Sequence, residues 1–515
     1  MAILVIFLDL IGYCPPVEIN VTSESYNVDF KFDNSYADQL DGFYTPFVGD
    51  LAPNPKLIKL NTSLAEKLGL DLSALSSTEI AAAFSGGVAL MGAAPLAQVY
   101  AGHQFGGFSP RLGDGRALLL GELIDVDGAR QDIHLKGSGR TVYSRGGDGK
   151  AALAPVLREF ILGEAMHALN IPTTRALAAV LTGESVYRDG VKPGAVLART
   201  ASSHLRVGTF QYFAAQGDNE KVKRLADYTI ARHFPSIKEC SNPYLQLLVE
   251  VSERQAELIA KWMQVGFIHG VMNTDNMTIS GETIDYGPCA FIDHYDASAV
   301  FSSIDHQGRY AFGNQMNMAQ WNLARLAETL LPFIAESPEE SVELATDVVK
   351  GFTDIYEERW LKGMCAKLGL TKVLEGDSAL VNNLLSLMQA NKVDFTNCFR
   401  FLSGSLSSIQ PELISLFTDL NGFEGWFQAW YARSEKETLQ EKDRSLLMDS
   451  VNPIYIPRNH LVEAALQAAE KDSNYEPFEK LLKVLEKPFE QRVGLEEYAT
   501  PAPKEFGAYK TFCGT

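Results

Sequence analysis

The sequence lacks a membrane-length apolar run, paired cysteines and an excess of basic residues, and each absence excludes a class of protein. The single candidate for a targeting segment, MAILVIFLDLIGY, holds no Lys or Arg before its apolar run and is interrupted by Asp9. It is a poor signal peptide, and it is shorter than the roughly 20 residues that cross a bilayer. We therefore expect a cytoplasmic protein whose first residues form an N-terminal extension.

The cysteines indicate no metal or disulfide scaffold. The chain has 6 cysteines, and none forms a C-x-x-C pair. This pattern favours neither a zinc site nor a disulfide framework. Cys513 differs from the others because it lies next to the C-terminus, in TFCGT, where an exposed thiol can be redox-reactive.

The charge balance is acidic. A formal net charge of -19 argues against broad binding to nucleic acid or to an anionic membrane, because both need a basic surface. We expect neither partner, although a local basic pocket for a phosphate remains compatible with this charge. The 515 residues, 46% of them hydrophobic, are typical of a soluble protein with several domains, and we expect a monomer.

Strand signals concentrate in the first half of the chain. Glycine becomes frequent from residue 96, and the runs RALLLGEL (116–123) and QDIHLKG (131–137) predict two strands. The turn signal DVDG (125–128) between them predicts a hairpin. A further strand is expected at GAVLART (194–200).

Helical periodicity is strongest elsewhere. Apolar residues fall on one helical face over 151–169, and 251–264 is a second amphipathic segment. Residues 316–350 and 376–490 are largely helical in pattern, and a short helix is expected near 63–70. The fold class predicted is α+β, with four regions: an N-terminal extension (1–95), a strand-rich region (96–215), a region with the catalytic and metal loops (216–350) and a C-terminal helical region (351–515).

One stretch resembles a phosphate-transfer site with a part missing. A kinase catalytic loop has the pattern H-x-D-x-x-x-x-N and is followed by D-F-G. In HGVMNTDN the His is His269 and the Asn is Asn276, and DYGP follows at Asp285, but Val271 stands where the Asp is required. The frame of the site is present without its base.

The oxygen ligands of that frame suit a hard metal ion. Asn276 and Asp285 occupy the positions at which kinases hold Mg²⁺. The interval MTISGETI predicts a short hairpin around Gly281 that brings the two ligands together. With valine at 271, Asp275 is the nearest carboxylate able to accept a proton.

A glycine-rich turn precedes the first strand of the predicted hairpin. In LGDGR, Gly113 and Gly115 would let backbone N–H groups approach a phosphate, and Arg116 would add a guanidinium. Taken alone, the same glycines favour a tight turn that has no ligand.

Further charged residues are candidates for the same site. Lys136 ends a strand, as the kinase lysine does, and either Glu159 or Glu164 on the following helix could pair with it. Helical periodicity does not choose between the two carboxylates. Arg199 and Arg206 would bind a phosphate if they converged, whereas their spacing alone favours a pair of surface charges.

Taken together, these segments resemble the selenoprotein O family of protein adenylyltransferases. The resemblance extends from about Phe43 to the C-terminal cysteine, which resembles the family's terminal cysteine. Its blocks in this chain, in the family's order, are GHQFGGFSPRLGDGRALLLGE, LKGSGRTVYSRGGDGKAAL, LREFILGEAMHALNIPTTR, HGVMNTDNM and DYGPCAFID.

The resemblance implies a protein-kinase-like bilobal fold, with a strand-rich N-lobe, a helical C-lobe and additional C-terminal helices. It implies that ATP binds in a flipped orientation and that AMP passes to Ser, Thr or Tyr hydroxyls of target proteins, with Mg²⁺ or Mn²⁺ as cofactor. Two alternatives stay open: an atypical kinase that transfers the γ-phosphoryl group, and a non-catalytic pseudokinase scaffold that binds nucleotide.

The resemblance also assigns roles to individual residues. Asp275 is expected to be the proton acceptor, and Asn276 and Asp285 the metal ligands. Lys136 is expected to contact phosphates and to pair with Glu159. The remaining nucleotide contacts are expected from Gly113, Gly115, Arg116, Asp148, Gly149, Arg199, Arg206 and Asp285, with the two arginines on the γ-phosphate.

Overall fold

A computed structural model describes residues 26–512 of the chain. The N-terminal targeting candidate and Cys513 lie outside the described residues. The strands are β1 (Tyr26–Asp29), β2 (Tyr44–Pro46), β3 (Lys56–Leu60), β4 (Leu90–Met91), β5 (Leu96–Gln98), β6 (Gly102–Gln104), β7 (Gly107–Ser109), β8 (Ala117–Ile124), β9 (Arg130–Lys136), β10 (Ala151–Ala152), β11 (Arg175–Arg188), β12 (Gly190–Ala201), β13 (Phe267–Ile268) and β14 (Ala290–Phe291).

Helices dominate after the last long strand. They are α1 (Ser35–Gln39), α2 (Thr62–Lys67), α3 (Ser77–Ala83), α4 (Leu153–Ala168), α5 (Val207–Ala214), α6 (Asn219–His233), α7 (Pro243–Val265), α8 (Gln315–Ile334), α9 (Pro338–Lys367), α10 (Asp377–Asn391), α11 (Phe395–Ser403), α12 (Pro411–Ser415), α13 (Leu420–Ser434), α14 (Glu441–Val451), α15 (Asn459–Asp472) and α16 (Glu476–Leu485). Short 3₁₀ turns lie at Pro235–Ile237, Thr274–Asn276, Phe312–Asn314, Glu496–Ala499 and Lys504–Phe506.

An eight-stranded antiparallel sheet forms the first half of the protein. Its order is β2-β5-β8-β9-β12-β11-β3, and β10 pairs with β12 off this path. The predicted hairpin is confirmed, because β8 and β9 pair directly and Asp125 Oδ1 accepts from the N–H groups of Asp127 and Ala129 in the turn. The coarse form of the predicted class, an antiparallel sheet together with many helices, is confirmed.

Each face of the sheet has its own core because successive side chains of a strand point in opposite directions. On β12, Val196 and Ala198 belong to the cluster formed with α2 and α3. Ala195 and Leu197 face the other way and pack with α4. Helix α4 is thus placed against the sheet on the side where Lys136 ends β9.

Helix α4 is covered on its outer side by the end of the chain. Phe160 of α4 and Phe478 of α16 have ring centroids 5.8 Å apart. The apolar residues of α15 and α16 belong to the same buried cluster as α4. The predicted C-terminal helical region therefore returns to the strand-rich half of the molecule.

The helical half has two further cores. One packs α5 to α9 together, and the other packs the end of α9 against α10, α11, α13 and α14. Helix α7 begins at an Asn242 cap, whose side chain accepts from Leu245 N–H, and ends at Gly266 with φ 76°. Within residues 26–512, no helix is long and apolar enough to cross a membrane.

One prediction changes in detail. The interval 277–284 turns as expected, but its ends do not pair with each other as a hairpin: Thr278 bridges to Arg206, and Thr283 bridges to Thr173. The predicted hairpin was therefore wrong in its pairing, because neighbouring segments satisfy these backbone groups. Residues 1–95, expected as an N-terminal extension, contribute β2 and β3 to the main sheet, in which β2 pairs with β5. Helix α9 spans residue 350, where a boundary between two regions was expected.

Candidate functional site

A cavity of about 490 Å³ opens between the sheet and the helical half. It is lined by residues from the strand ends, from α4 and from the loop segments around 271–276 and 285–288. The structure brings all of the predicted site residues to this cavity: Gly113, Gly115, Arg116, Lys136, Asp148, Gly149, Glu159, Arg199, Arg206, Asp275, Asn276 and Asp285.

Lys136 pairs with Glu159, which settles the choice that helical periodicity left open. Its Nζ lies 2.7 Å from Glu159 Oε2 and 2.8 Å from Asp285 Oδ1. Glu164 points elsewhere and binds Arg175 at 2.7 Å. One turn of α4 therefore separates a carboxylate of the cavity from a carboxylate of the scaffold.

Arg199 completes a ring of alternating charges. Its Nη1 lies 2.7 Å from Glu159 Oε1 and 2.7 Å from Asp285 Oδ1. Strand pairing sets this position, because Arg199 of β12 lies opposite His134 of β9, two residues from Lys136. Arg199 is only 2% exposed. The interpretation as a surface charge, which spacing along the chain had favoured, is therefore wrong for this residue.

The two carboxylates of the ring are held in their ionised forms. Burial raises the pKa of Glu159, but Lys136 and Arg199 outweigh burial and the net pKa lies below its usual value. Burial likewise raises the pKa of Asp285, and Lys136, Arg199 and Arg206 then bring it well below its usual range. Both side chains are therefore anionic at neutral pH.

Arg206 extends the positive charge deeper into the cavity. Its Nη1 donates to the carbonyl of Asp275 at 3.0 Å and lies 3.4 Å from Asp285 Oδ2. The guanidinium carbon sits 4.4 Å above the centre of the Tyr100 ring. Its buried Nη2 has no hydrogen-bond partner among the described residues. A buried donor of this kind needs an acceptor, and a phosphate oxygen would supply one.

Asp285 is held in an uncommon backbone conformation. Its φ is 61°, in the left-handed region that non-glycine residues seldom adopt. Gly287 N–H closes the local turn on the Asp285 carbonyl at 2.7 Å. Such strain concentrates at functional sites, where the surrounding contacts enforce it.

Asp275 is a buried carboxylate with one oxygen unused. Its Oδ2 accepts from Gln104 Nε2 at 3.0 Å, whereas Oδ1 has no partner among the described residues. Oδ1 packs where Gly102 leaves room, since a Cβ at Gly102 would lie 2.6 Å from it. Burial raises the pKa of Asp275 to about 6. A group with this pKa is suited to accept a proton near neutral pH.

Asn276 lines the same cavity as the ring of alternating charges. Its Nδ2 donates to the Val271 carbonyl at 2.9 Å, which fixes the orientation of the amide. Across residues 26–512, no hydrogen bond is made to its Oδ1. No group of three or more His, Cys, Asp or Glu side chains in this part of the chain is arranged to hold a metal ion. One carboxylate and one amide oxygen fit a Mg²⁺ ion that takes its remaining ligands from phosphate and water.

The turn at Gly113 and Gly115 is tight, and the N–H groups of both glycines already donate to backbone carbonyls of the protein. Gly113 has φ 67°, and a Cβ there would lie 2.4 Å from the Tyr143 ring. The N–H of Gly113 donates to the Tyr100 carbonyl, and that of Gly115 donates to the Gly113 carbonyl. The turn thus brings backbone close to Tyr143, and the phosphate contacts expected from Gly113, Gly115 and Arg116 stay predictions.

Asp148 and Gly149 lie in a second loop of the cavity wall. Asp148 pairs with Arg188 at 2.9 Å, a bond that holds this loop to the end of β11. Gly149 has φ 71°, and a Cβ there would meet the Gly139 carbonyl at 2.0 Å. Only glycine fits this close approach of two backbone segments.

Sequence reasoning missed several residues of the site. Gln104 reaches Asp275, Tyr100 underlies Arg206, and Arg188 holds Asp148. Asn273 accepts from Tyr310 at 2.5 Å beside the catalytic frame. None of these four lies at a position that the kinase spacing marks, although GHQFGG, which contains Gln104, stands out as a glycine-rich segment.

The chain is similar to one protein family and to several bacterial proteins. The family model "Protein adenylyltransferase SelO" matches residues 27–486. A protein of Rhizobium johnstonii named protein nucleotidyltransferase YdiU is 54% identical over 488 residues, which cover 94% of this chain and 97% of that one. Proteins of the same name from Agrobacterium fabrum and Cereibacter sphaeroides are 53% and 54% identical, and each match covers 94% of this chain and 100% of the relative.

Proposed function

This chain belongs to the SelO family and is a protein adenylyltransferase, and we propose that the cavity between its sheet and its helices is the site of transfer. The substrates proposed are ATP and the Ser, Thr or Tyr hydroxyls of target proteins, and the products are AMP-modified protein and pyrophosphate. The observation that carries this proposal is the buried Asp275 carboxylate, with one free oxygen, facing the same cavity as Lys136, Arg199 and Arg206.

Asp275 is the proposed proton acceptor. As the acceptor oxygen attacks the α-phosphorus, its O–H bond breaks and the proton passes to Asp275. A new O–P bond forms to AMP, and the bond between the α-phosphorus and the bridging oxygen breaks, so that pyrophosphate leaves with the electron pair. Gln104 keeps Oδ2 engaged, so Oδ1 is the oxygen free to take the proton.

The basic residues are the proposed holders of the leaving group. Lys136, Arg199 and Arg206 converge on Asp285 from three directions. Negative charge that develops on pyrophosphate in the transition state is stabilised by cations already fixed in place. The unpartnered Nη2 of Arg206 is one donor available for it without breaking an existing bond.

Asn276 and Asp285 are the proposed ligands of a divalent metal ion. A nucleotidyltransferase acting on ATP uses such an ion, and the oxygen donors favour Mg²⁺, with Mn²⁺ as the alternative. When bound, the ion neutralises phosphate charge and orients the leaving group. The role of this chain is to hold Asn276 Oδ1 in place through the Val271 carbonyl and to keep Asp285 ionised.

A protein-kinase-like bilobal fold is the proposed framework. The antiparallel sheet with α4 corresponds to an N-lobe within residues 96–215, and the helices α6 to α8 correspond to a C-lobe within residues 216–350. The Lys136–Glu159 pair at 2.7 Å is the contact expected between a kinase-like strand and helix. Residues 351–515 are the additional helical region, and residues 1–95 the N-terminal region.

The position of the label separates this proposal from its alternatives. The full-length protein is incubated with target proteins and Mg²⁺, in parallel with ATP labelled on the α-phosphate and ATP labelled on the γ-phosphate. Adenylyl transfer puts only the α-label on protein. Transfer of only the γ-label would identify an atypical kinase, and transfer of neither label, with ATP still bound, would identify a scaffold.

A further inference from the structure

The hairpin formed by β6 and β7 has an unusual residue at its tip. Phe105 and Gly106 form a two-residue loop in which φ is 52° and 85°. Positive φ at both positions is typical of a type I′ turn, where Asn-Gly is preferred and a bulky aromatic residue is not. The Phe105 N–H donates to Asn273 Oδ1 at 3.3 Å and to Tyr310 Oη at 3.2 Å. The catalytic loop thus holds this residue in an unfavourable conformation.

The strained phenylalanine is exposed at the mouth of the cavity. Phe105 is 40% exposed and lines the cavity together with Gln104 and Ile304. Gln104 immediately precedes it and bonds to Asp275. Phe105 and Asp275 thus line the same cavity, with Gln104 between them.

A cationic and aromatic surface continues outward from the hairpin. The guanidinium carbon of Arg309 lies 4.9 Å from the centre of the Trp321 ring and 5.8 Å from that of Tyr310. A Cβ at Gly106 would lie 3.8 Å from this guanidinium. His103 packs on the other side of Trp321, at 5.2 Å.

Arg309 has no acidic partner in the part of the chain that the structure describes. The nearby carboxylate of Asp305 accepts from the backbone N–H groups of Arg309 and Tyr310, not from the guanidinium. Arg325, whose guanidinium carbon lies 5.0 Å from the centre of the Trp321 ring, is instead paired with Glu328 at 2.7 Å. Arg309 is therefore a fixed positive charge on a protein of net charge -19.

We propose that Phe105, Ile304, Arg309 and Trp321 form an acceptor platform that binds an extended segment of the target protein. An apolar side chain next to the modified hydroxyl would rest on Phe105 and Ile304, and an acidic side chain further along would meet Arg309. This inference rests on the proposed function and assigns its substrate class: hydroxyl residues flanked by an apolar and an acidic residue.

The conformation of Phe105 supports this assignment independently of its exposure. A turn without a binding role would be more stable with asparagine at this position, because asparagine tolerates positive φ. The Phe105 ring packs edge-on against Tyr310 at 5.2 Å, and its exposed part adds apolar surface at the cavity mouth. The unpaired Arg309 adds charge complementarity for an acidic partner.

The platform can be tested with peptide libraries. The full-length protein and ATP with an α-label are offered peptides that have one central Tyr, Ser or Thr and randomised flanking positions. The variants are Phe105→Asn, which keeps the turn and removes the ring, and Arg309→Glu, which inverts the charge. Lys442→Glu is the matched control. Lys442 is exposed on α14, and its substitution changes the charge by the same amount as Arg309→Glu.

We expect wild-type protein to select peptides with an acidic residue on one side of the hydroxyl and an apolar residue beside it. Arg309→Glu should raise KM for acidic peptides at least tenfold, the loss of one charge-assisted contact, and shift the selection toward basic residues. Phe105→Asn should weaken the apolar preference. KM for ATP should stay unchanged in both variants, and Lys442→Glu should match wild type throughout.

Three outcomes would overturn the platform. These are unchanged flanking preferences in both variants, equal effects of Arg309→Glu and Lys442→Glu, and modification of folded proteins or of a second copy of this chain without modification of any peptide. Failure of the proposed function itself is distinct, because wild-type protein would then transfer no α-label to any acceptor.

Discussion

Lys136 and Asp285 are 149 residues apart in the chain, and Nζ of Lys136 donates to Oδ1 of Asp285 at 2.8 Å. This ion pair ties the last residue of β9 to the loop that holds Asp285 in its left-handed conformation. Lys136 is the proposed phosphate contact and Asp285 the proposed metal ligand. Before a nucleotide binds, the Asp285 carboxylate therefore takes the place of a phosphate beside Lys136, and the Lys136 ammonium takes the place of a metal ion beside Asp285.

Glu159→Gln should reduce AMP transfer, whereas Glu164→Gln should not. The first change removes the charge that balances Lys136 and Arg199, and the loss of one charge-assisted contact corresponds to roughly 10-fold or more in rate. The second change affects only scaffold contacts away from the cavity, which Glu164 makes with Arg175, Asn61 and the Ala176 N–H. Transfer rates of the two variants, measured beside wild type, check this. Equal losses would mean that the ring of charges has no specific role.

Asp285→Ala and Asn276→Ala should both abolish transfer, because a hard cation loses an oxygen ligand. Asp285→Ala should be the more severe, since a carboxylate attracts the ion more strongly than an amide does. Asp296→Ala is a control on a half-buried carboxylate outside the cavity, which accepts from the neighbouring Ser298. The measurement is AMP transfer across a series of Mg²⁺ concentrations. Full activity of Asp285→Ala in Mg²⁺ would contradict the assignment.

Asp275→Ala should lose turnover and keep ATP binding. A general base contributes roughly 10²–10⁴-fold to the rate, and the phosphate contacts proposed come from other residues. Arg199→Ala should lose both, because it removes a charge-assisted contact worth about 1.5–3 kcal/mol. Calorimetric ATP affinity beside the transfer rate separates the two variants. Loss of ATP binding in Asp275→Ala would withdraw the base role.

The raised pKa of Asp275 predicts two opposite trends with pH. Transfer should fall as the pH drops below about 6, because the protonated acid cannot accept a proton. Stability should change in the other direction: the folded state holds this proton more tightly than the unfolded state, so the free energy of unfolding falls as pH rises from about 4, the usual value for Asp, toward the raised pKa.

Asp275→Asn removes this titration and should stabilise the protein. At pH 7 we expect the free energy of unfolding to rise by about 1–3 kcal/mol, since one unit of pKa shift corresponds to 1.36 kcal/mol. Near pH 4 the difference from wild type should vanish. Urea denaturation at the two pH values is the measurement. A variant less stable than wild type at pH 7 would show that the ionised carboxylate is not destabilising.

Val271→Asp should not create a kinase. It restores the missing residue of the H-x-D pattern, but the γ-phosphate would still be held by Arg199 and Arg206, away from the acceptor. The measurement is transfer of the γ-label to protein by Val271→Asp, both alone and combined with Asp275→Ala. Robust γ-label on protein would show that ATP binds in the ordinary kinase orientation.

Local sequence patterns were sufficient to predict the main secondary-structure elements and the frame of the site. Two strand-like runs and a turn signal were enough for the β8–β9 hairpin, and apolar periodicity was enough for α4 and α7. The spacing from His269 to Asn276 marked the catalytic loop because it is a property of one short segment. The resemblance to the family's blocks then assigned Glu159 as the partner of Lys136.

Which distant groups come into contact depends on how the segments pack in the tertiary structure. The buried state of Arg199 follows from the pairing of β12 with β9, and spacing along the chain had favoured a surface charge. The ends of the 277–284 turn form bridges with Arg206 and Thr173, two segments that are distant in the chain. Gln104 reaches Asp275 across 171 residues. Local patterns record secondary structure and loop spacing, whereas burial, charge balance and such long-range hydrogen bonds arise when segments pack.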